Sequence, residues 1–180
     1  MSERPESDRD LVERAAGGSR EAFAALYDRR APLIRAVCWD ATRNQHTTAE
    51  LTQEVFLRAF PNLGRLRQRE RFGPWLLGIA RRVCHEWGRA RPMGGDGLET
   101  KNGVRAPDPA PDAGSSEALR HAVAGLPEPE RLAVHAFYLL DMDAVRAAEA
   151  LGISRSGLYA LLASARARLR RVLEDQEIMP

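Results

Sequence analysis

The sequence is poor in the residues that build disulfide frameworks, metal centres and membrane spans. Only two of its 180 residues are cysteine. Cys38 and Cys84 stand far apart and outside any CxxC pair, so neither a disulfide framework nor a zinc site is indicated and two buried, reduced thiols are expected. No run approaches the roughly 20 apolar residues of a membrane-spanning helix, and no apolar segment follows the charged residues 1–10. The pattern favours a soluble, cytoplasmic protein without a cofactor or metal.

Signatures of catalysis are also missing. The four histidines are scattered and form no HExxH pair, no glycine-rich loop is placed to hold phosphates, and no nucleophile has a recognisable partner. Cys84 and His85 are neighbours in sequence, but adjacent residues on a helix point in different directions. Cys84 is better explained as a residue in or near the core, and an enzyme is the least favoured class.

Positive charge is concentrated in one part of the chain. The formal net charge is only +2, and Lys101 is the only lysine among 27 basic residues. An arginine bias is most simply an effect of codon composition, although arginine also suits contacts with phosphates and base edges. Between residues 65 and 91, eight arginines face only two acids. Such a density is either solvated or meets phosphate.

Apolar residues recur at helical spacing, and no segment shows convincing strand alternation. A short helix is expected over residues 8–16, and Ser19 is placed to cap a longer one. Pro32 should kink or interrupt that second helix. The polar residues 40–46 are predicted to form a loop.

The next helix is predicted to begin at a capping box formed by Thr47 and Glu50 and to stop at Pro61. Its polar face is either solvated or a docking surface. A loop over residues 62–71 then leads into a helix with Pro74 in its first turn. The apolar face of that helix includes two tryptophans, which its period assigns to the core.

The composition changes over residues 92–116, which are rich in glycine and proline and have no periodic apolar face. This stretch is predicted to be a flexible linker. Helices follow over 117–125 and after Pro127, and Asp143 is placed to cap another.

A helix-turn-helix is indicated near the C-terminal end of the chain. Ala148, Gly152 and Leu158 have the spacing of a helix crossing, a turn and an apolar anchor. Ser154 is the expected cap of the second helix, which ends in an arginine cluster. The fold class is therefore all-α, with two small helical domains over 1–91 and 117–175, the second a tetrahelical, winged-helix-like helix-turn-helix domain.

Three stretches resemble one protein family. Residues 49–60 read AELTQEVFLRAF and are similar to the core-binding helix of bacterial RNA polymerase sigma factors of the extracytoplasmic-function group. Residues 72–82, FGPWLLGIARR, resemble the promoter-melting helix of the same family, and residues 126–128 with the helix-turn-helix resemble its second domain. The resemblance implies transcription initiation without catalysis, with core RNA polymerase, promoter DNA and an anti-sigma protein as partners.

The resemblance also implies roles for individual residues. The surface that meets the largest polymerase subunits would comprise Leu51, Gln53, Glu54, Leu57 and Arg58. The promoter element nearer the start site would meet Asn62, Arg65, Arg67, Arg69, Arg71, Arg81, Arg82 and Arg89. The upstream element would meet Ser154, Arg155, Ser156, Tyr159, Ser164, Arg166 and Arg168.

The second helix of the helix-turn-helix departs from the family pattern. At exposed positions where the family commonly has lysine or arginine, this chain has Tyr159, Leu161 and Ser164, and Gly157 replaces the usual threonine. Base recognition normally uses bidentate arginine, asparagine or glutamine, so upstream recognition is expected to be weak or to depend on phosphate contacts. Two alternatives therefore remain open, a sigma-like adaptor with weakened promoter recognition and an ordinary helix-turn-helix regulator.

Overall fold

The structure is a computed structural model that describes residues 6–90 and 113–177, with side chains described over 6–90 and 119–174. All regular structure in these ranges is helical. We call residues 6–90 the first half and residues 113–177 the second half. The predicted linker falls mostly on residues 91–112, outside the described ranges. None of the helices within those ranges combines the length and apolar character needed to cross a bilayer.

The first half contains four α-helices. They are α1 (Asp8–Ala16), α2 (Arg20–Thr42), α3 (Gln45–Ala59) and α4 (Phe72–Ala90). Two 3-10 turns, Phe60–Arg65 and Arg69–Arg71, occupy the stretch predicted as a loop. The predicted range of α1 is confirmed, and so is the cap of α2, where the Ser19 hydroxyl accepts a hydrogen bond of 3.2 Å from the Ala22 N–H.

Two predictions about helix ends in the first half were wrong. α2 runs without interruption through Pro32, next to the buried Leu33 and Ile34, which are 2% and 1% exposed, so the interruption that proline can cause does not occur here. The helix continues to Thr42, through part of the predicted loop. Asn44, not Thr47, caps α3, and its side chain accepts a 3.0 Å hydrogen bond from the Thr47 N–H.

The second half also has four α-helices, α5 (Ala113–Ala124), α6 (Glu128–Val134), α7 (Ala144–Leu151) and α8 (Arg155–Glu177). A π-helical turn, His135–Leu139, extends α6. The cap at Asp143 is confirmed, because its carboxylate accepts two backbone N–H bonds of 2.9 Å. The Ser154 hydroxyl likewise accepts from the Gly157 N–H at 3.0 Å. Gly152, at φ 70°, makes the left-handed turn between α7 and α8.

The two halves pack against each other and share one continuous apolar core. The turn between α7 and α8 lies on the start of α4. A Cβ atom on Gly152 would lie 2.2 Å from Cγ of Pro74, and one on Gly73 would lie 2.7 Å from the carbonyl oxygen of Ala150. Glycine at these two positions therefore permits the backbones of the two halves to approach closely.

Ion pairs also link the halves at the edge of this contact. The Arg81 Nε atom of α4 lies 2.7 Å from an oxygen of Glu128, the first residue of α6. Arg131 of α6 donates to Asp40 of α2, and this pair is mostly buried. Its guanidinium also donates to the carbonyl of Leu126, at 2.7 Å. Arg131 therefore binds α2 and orders the turn before its own helix.

Candidate functional site

A groove of about 1060 Å³ opens in the first half where α3, the two 3-10 turns and the start of α4 meet. We call it the arginine groove. Its lining residues are Leu57, Arg58, Pro61, Asn62, Arg65, Leu66, Arg67, Gln68, Arg71, Pro74, Trp75, Ile79 and Arg82. The groove thus joins two of the residues expected to bind polymerase with five of those expected to bind DNA.

The exposed face of α3 lies at one edge of the groove. Leu57 is 60% exposed, far more than an apolar side chain in a core, and Gln53 is also exposed. Glu54 is half-buried. Leu51 is only 9% exposed and packs in the core, so its side chain does not contribute to the exposed face. The accessible residues of the predicted polymerase surface are therefore Gln53, Glu54, Leu57 and Arg58.

Arg58 is held in place by two carboxylates on different helices. Its Nε atom lies 2.6 Å from Glu54 of α3, and its Nη1 atom lies 2.5 Å from Glu86 of α4. Hydrogen bonds from Arg58 hold the pKa of the Glu86 carboxyl below its ordinary value, and the same bonds raise the pKa of Arg58. The cluster is accessible to solvent, so its contribution to stability is small, but it fixes the direction of the guanidinium.

Four arginines of the groove are exposed to solvent. Among the residues that the structure describes, Arg65, Arg67, Arg71 and Arg82 form no ion pair. The Asn62 amide, between the α3 face and these cations, donates to the carbonyl of Arg58 at 2.8 Å. Unpaired guanidinium groups around an open groove provide several N–H donors for an anion such as a phosphate.

The other three arginines predicted for this surface do not line the groove. Arg69 pairs with Glu13 of α1 at 2.7 Å, and Arg81 pairs with Glu128 of the second half. Arg89 is exposed near the end of α4. Neither long-range pair is visible in a local sequence pattern, because the partners are distant along the chain.

Trp75 packs against the core, as its helical period indicated, and its partly exposed side also lines the groove. The side chain is half-buried, with its ring centroid 6.0 Å from that of Phe72. A helical side chain leans over the turn before it, and at the start of α4 that preceding segment is the arginine-rich turn. The sequence signal for this placement was that Trp75 directly follows Pro74, in the first turn of the helix. Gln68 also lines the groove and was not predicted.

The start of α8 presents a separate surface. Arg155, Ser156 and Tyr159 are exposed there, and Tyr159 is 51% exposed. The ring of Tyr159 approaches Phe137 with 6.4 Å between centroids. Ser154, which caps the helix, is also exposed. Among the described residues at the start of α8, the polar groups free to meet a ligand are thus few.

Two predicted upstream residues form hydrogen bonds with Glu130 of α6, although the Arg168 side chain remains 53% exposed. The Ser164 hydroxyl donates to a Glu130 oxygen at 2.9 Å, and the Arg168 Nε atom donates to the same oxygen at 3.1 Å. Glu130 is 6% exposed, so these bonds anchor α8 to α6. Arg166 is exposed, with its Nε atom 3.3 Å from the carbonyl oxygen of Leu162.

Comparison with known proteins finds similarity to RNA polymerase sigma factors. Residues 26–91 match the family described as Sigma-70 region 2. The probable RNA polymerase sigma factor RfaY of Xanthomonas campestris is 29% identical over 168 residues, which cover 88% of this chain and 42% of that protein. The extracytoplasmic-function (ECF) RNA polymerase sigma factor BldN of Streptomyces coelicolor is also 29% identical, over 96% of this chain and 70% of that protein.

A solved structure has the same fold. The sigma factor RpoE in complex with the anti-sigma factor NepR, from Bartonella quintana, superposes with a TM-score of 0.56 at 18% identity, over 86% of this chain and 98% of that one. The all-helical, two-part architecture is common to both. The matched region 2 covers most of α2, α3 and α4, where the groove lies. Residues 26–91 thus match Sigma-70 region 2, and the chain as a whole is similar to RNA polymerase sigma factors such as RfaY and BldN.

Proposed function

We propose that this protein is a sigma factor that binds core RNA polymerase, directs it to a promoter and helps to open the DNA there. The observation that carries the proposal is the arginine groove, where an exposed apolar and polar helix face adjoins four unpaired arginines. In this function the chain positions polymerase and DNA and forms no covalent bond itself. It acts in the cytoplasm, where polymerase and promoter are found.

The exposed face of α3 is the proposed polymerase contact. Leu57 would insert its apolar side chain into the partner, while Gln53 and Arg58 supply hydrogen bonds around it. Exposed apolar side chains rimmed by polar ones are typical of protein interfaces. Because Glu54 and Glu86 already orient Arg58, little side-chain entropy is lost when it binds.

The arginine groove is the proposed contact for the promoter element near the start site. The four unpaired arginines would bind phosphates, and an unstacked base would enter the groove beside Trp75, since separated strands expose base faces that stack on aromatic rings. Salt should weaken this contact, because binding releases the counterions of the phosphates.

The second half is the proposed contact for the upstream element. Arg155, Ser156 and Tyr159 would read bases, and Arg166 would meet a phosphate. Such a surface has few donors, so we expect modest discrimination between sequences. An anti-sigma protein is a further proposed partner, by analogy with the Bartonella complex.

Two substitutions of leucine by aspartate test the proposed polymerase contact. Leu57→Asp should lose binding to core polymerase in a pull-down, with little change in thermal stability, because the side chain is already exposed. Leu139→Asp is the matched control, since Leu139 is 62% exposed but lies in the second half. Equal binding by both variants and the unchanged protein would argue against α3 as the contact.

Two double variants test the proposed DNA contact. Arg67→Ala combined with Arg71→Ala should retain core binding but lose promoter opening, detected by permanganate reactivity of unpaired thymines. Arg9→Ala combined with Arg20→Ala removes the same charge from exposed positions on α1 and α2 and should open the promoter normally. Loss of promoter opening in both double variants would mean that the effect comes from overall charge and not from the arginine groove.

A sigma-like adaptor without promoter recognition is the second candidate. It is favoured by the contacts of Ser164 and Arg168 with Glu130, which engage the Ser164 hydroxyl and the Arg168 Nε–H and so reduce the donors available on the upstream surface. Core binding without any DNA footprint, across genomic promoter fragments, would support the adaptor and reject the promoter-directed function.

A further inference from the structure

The two cysteines of the chain meet in the folded protein. Cys38 of α2 and Cys84 of α4 are 46 residues apart in sequence, yet their Sγ atoms are 3.9 Å apart. Cys38 is completely buried and Cys84 is half-buried. Both are reduced in this structure. A disulfide requires sulfurs about 2.05 Å apart, so a bond between these two thiols needs a small movement of their side chains and an oxidant that accepts two electrons.

Only one of the two sulfurs has a path to solvent. Cys84 lies on the wall of a cleft of about 210 Å³ where α2, α4 and α6 meet; we call this the interhalf cleft. Its charged lining residues are Asp40, Arg81, Glu128 and Arg131. The cleft is large enough for a small polar molecule, since a water molecule occupies about 30 Å³ in the liquid.

The surroundings of the pair favour one shared thiolate. A hydrogen bond from Cys84 lowers the pKa of the Cys38 thiol, more than burial raises it. The hydrogen bond with Cys38 and burial raise the pKa of Cys84, and the negative charge of the Cys38 thiolate adds to this effect. The two thiols thus ionise as a unit, with one proton between the sulfurs. The thiolate therefore lies mainly on the buried Cys38 sulfur, and Cys84 carries it only in the minor arrangement of the shared proton. Cys84 is nevertheless the sulfur that an oxidant can reach, because it lies on the wall of the cleft.

We propose that Cys38 and Cys84 form an oxidisable dithiol, which a hydroperoxide entering through the interhalf cleft converts into an intrachain disulfide. Cys84 is the sulfur that reacts first, and Cys38 is the sulfur that completes the bond. The proposal rests on the distance between the sulfurs, on their unequal burial and on the cleft. It does not depend on the proposed function in transcription.

The reaction has two balanced steps. The Cys84 thiolate attacks one peroxide oxygen, the O–O bond breaks, and the leaving hydroxide or alkoxide takes up a proton. Cys84 is then a sulfenic acid, oxidised by two electrons. The Cys38 sulfur attacks the Cys84 sulfur, the S–O bond breaks, and hydroxide leaves with a proton as water. With hydrogen peroxide, two thiols and one peroxide give one disulfide and two waters.

Mass spectrometry of the full chain tests the proposal. The reduced protein is treated with hydrogen peroxide at low protein concentration, its remaining thiols are alkylated, and it is digested with trypsin. Cleavage after Arg35, Arg43, Arg82 and Arg89 isolates the cysteines in residues 36–43 and 83–89. The expected product is these two peptides joined, from a protein that remains monomeric on a non-reducing gel. Free thiols should fall from two to none and return with dithiothreitol.

Two variants separate the roles of the sulfurs. In Cys38→Ala the sulfenic acid on Cys84 should persist and be captured by dimedone, whereas in Cys84→Ala the buried Cys38 should remain reduced at the same peroxide dose. Circular dichroism checks that both variants fold, and Cys38→Ser replaces Cys38→Ala if the latter does not. Equal labelling of both cysteines in urea confirms that burial causes the difference.

Two results would overturn the proposal. One is the absence of the joined peptide from oxidised protein while Cys84 overoxidises at the same rate in the unchanged protein and in Cys38→Ala. The other is a disulfide found only between two chains. Either result would mean that Cys38 does not resolve oxidised Cys84.

Discussion

The close contact between the halves predicts opposite effects for two alanine substitutions on the same helix. Gly73 and Gly78 both lie in α4. Gly73 is buried, and its added Cβ would lie 2.7 Å from the Ala150 carbonyl oxygen and 3.1 Å from the Ala150 Cα atom. Gly78 is exposed, and no atom lies within 4 Å of its added Cβ.

The magnitudes follow from helix propensity and steric contact. Alanine in place of a helical glycine stabilises by about 0.5–1 kcal/mol, so Gly78→Ala should raise the free energy of unfolding by that amount. Gly73→Ala receives a similar or smaller gain but must displace the backbone of α7, and overpacking of this kind costs about 1–3 kcal/mol. We expect Gly73→Ala to be destabilised by up to about 2 kcal/mol, or to relieve the contact by partial separation of the halves.

Urea unfolding and small-angle X-ray scattering measure the two effects. Gly73→Ala should show a lower unfolding midpoint, a larger radius of gyration than the unchanged protein, or both. Gly78→Ala should show a higher midpoint and an unchanged radius. Equal stabilisation of both variants, with the same radius of gyration, would mean that the halves are not in contact through Gly73 in solution.

Two further substitutions test local features. Asp143→Ala should lower the free energy of unfolding by about 1 kcal/mol, measured by urea titration, because the carboxylate caps α7 through two backbone N–H groups; no change would mean that water replaces the cap. Burial lowers the pKa of His135 and outweighs the opposing effect of Asp40, so the neutral imidazole is favoured in the folded state. Its contribution is full above the ordinary pKa of 6.5 and is lost as the pH falls below it. Relative to His135→Gln, the unchanged protein should therefore lose stability as the pH falls below about 6.5, and parallel pH profiles would contradict this.

Local signals in the sequence were sufficient for most helix caps. Ser19, Asp143 and Ser154 accept backbone N–H groups within three residues of themselves, so the necessary geometry is encoded locally. The continuation of α2 through Pro32 was not predictable in the same way. It depends on the burial of Leu33 and Ile34 against helices that are distant in sequence.

The contents of the candidate site were predictable, but its shape was not. The motifs identified Arg65, Arg67, Arg71 and Arg82 as candidates, and the structure brings them into one groove. That Arg81 is instead held by Glu128 depends on packing between the halves, and a glycine- and proline-rich linker gave no indication of such packing.

The proximity of the two thiols could not be predicted from the sequence either. Cys38 and Cys84 were predicted to be buried and reduced, but the sequence did not predict that their sulfurs lie close together. Their 3.9 Å separation follows from the crossing of α2 and α4, which a helical period predicts only as two amphipathic faces. Contacts of this kind require the three-dimensional arrangement of the helices.

Transcription with purified core RNA polymerase on fragments of genomic DNA tests the proposed function most directly. The purified chain is added to core polymerase, and the 5′ ends of the transcripts are mapped. We expect discrete start sites that appear only when the chain is present and disappear with Leu57→Asp but not with Leu139→Asp. An absence of chain-dependent start sites, together with no binding of the chain to core polymerase, would contradict the function proposed for this protein.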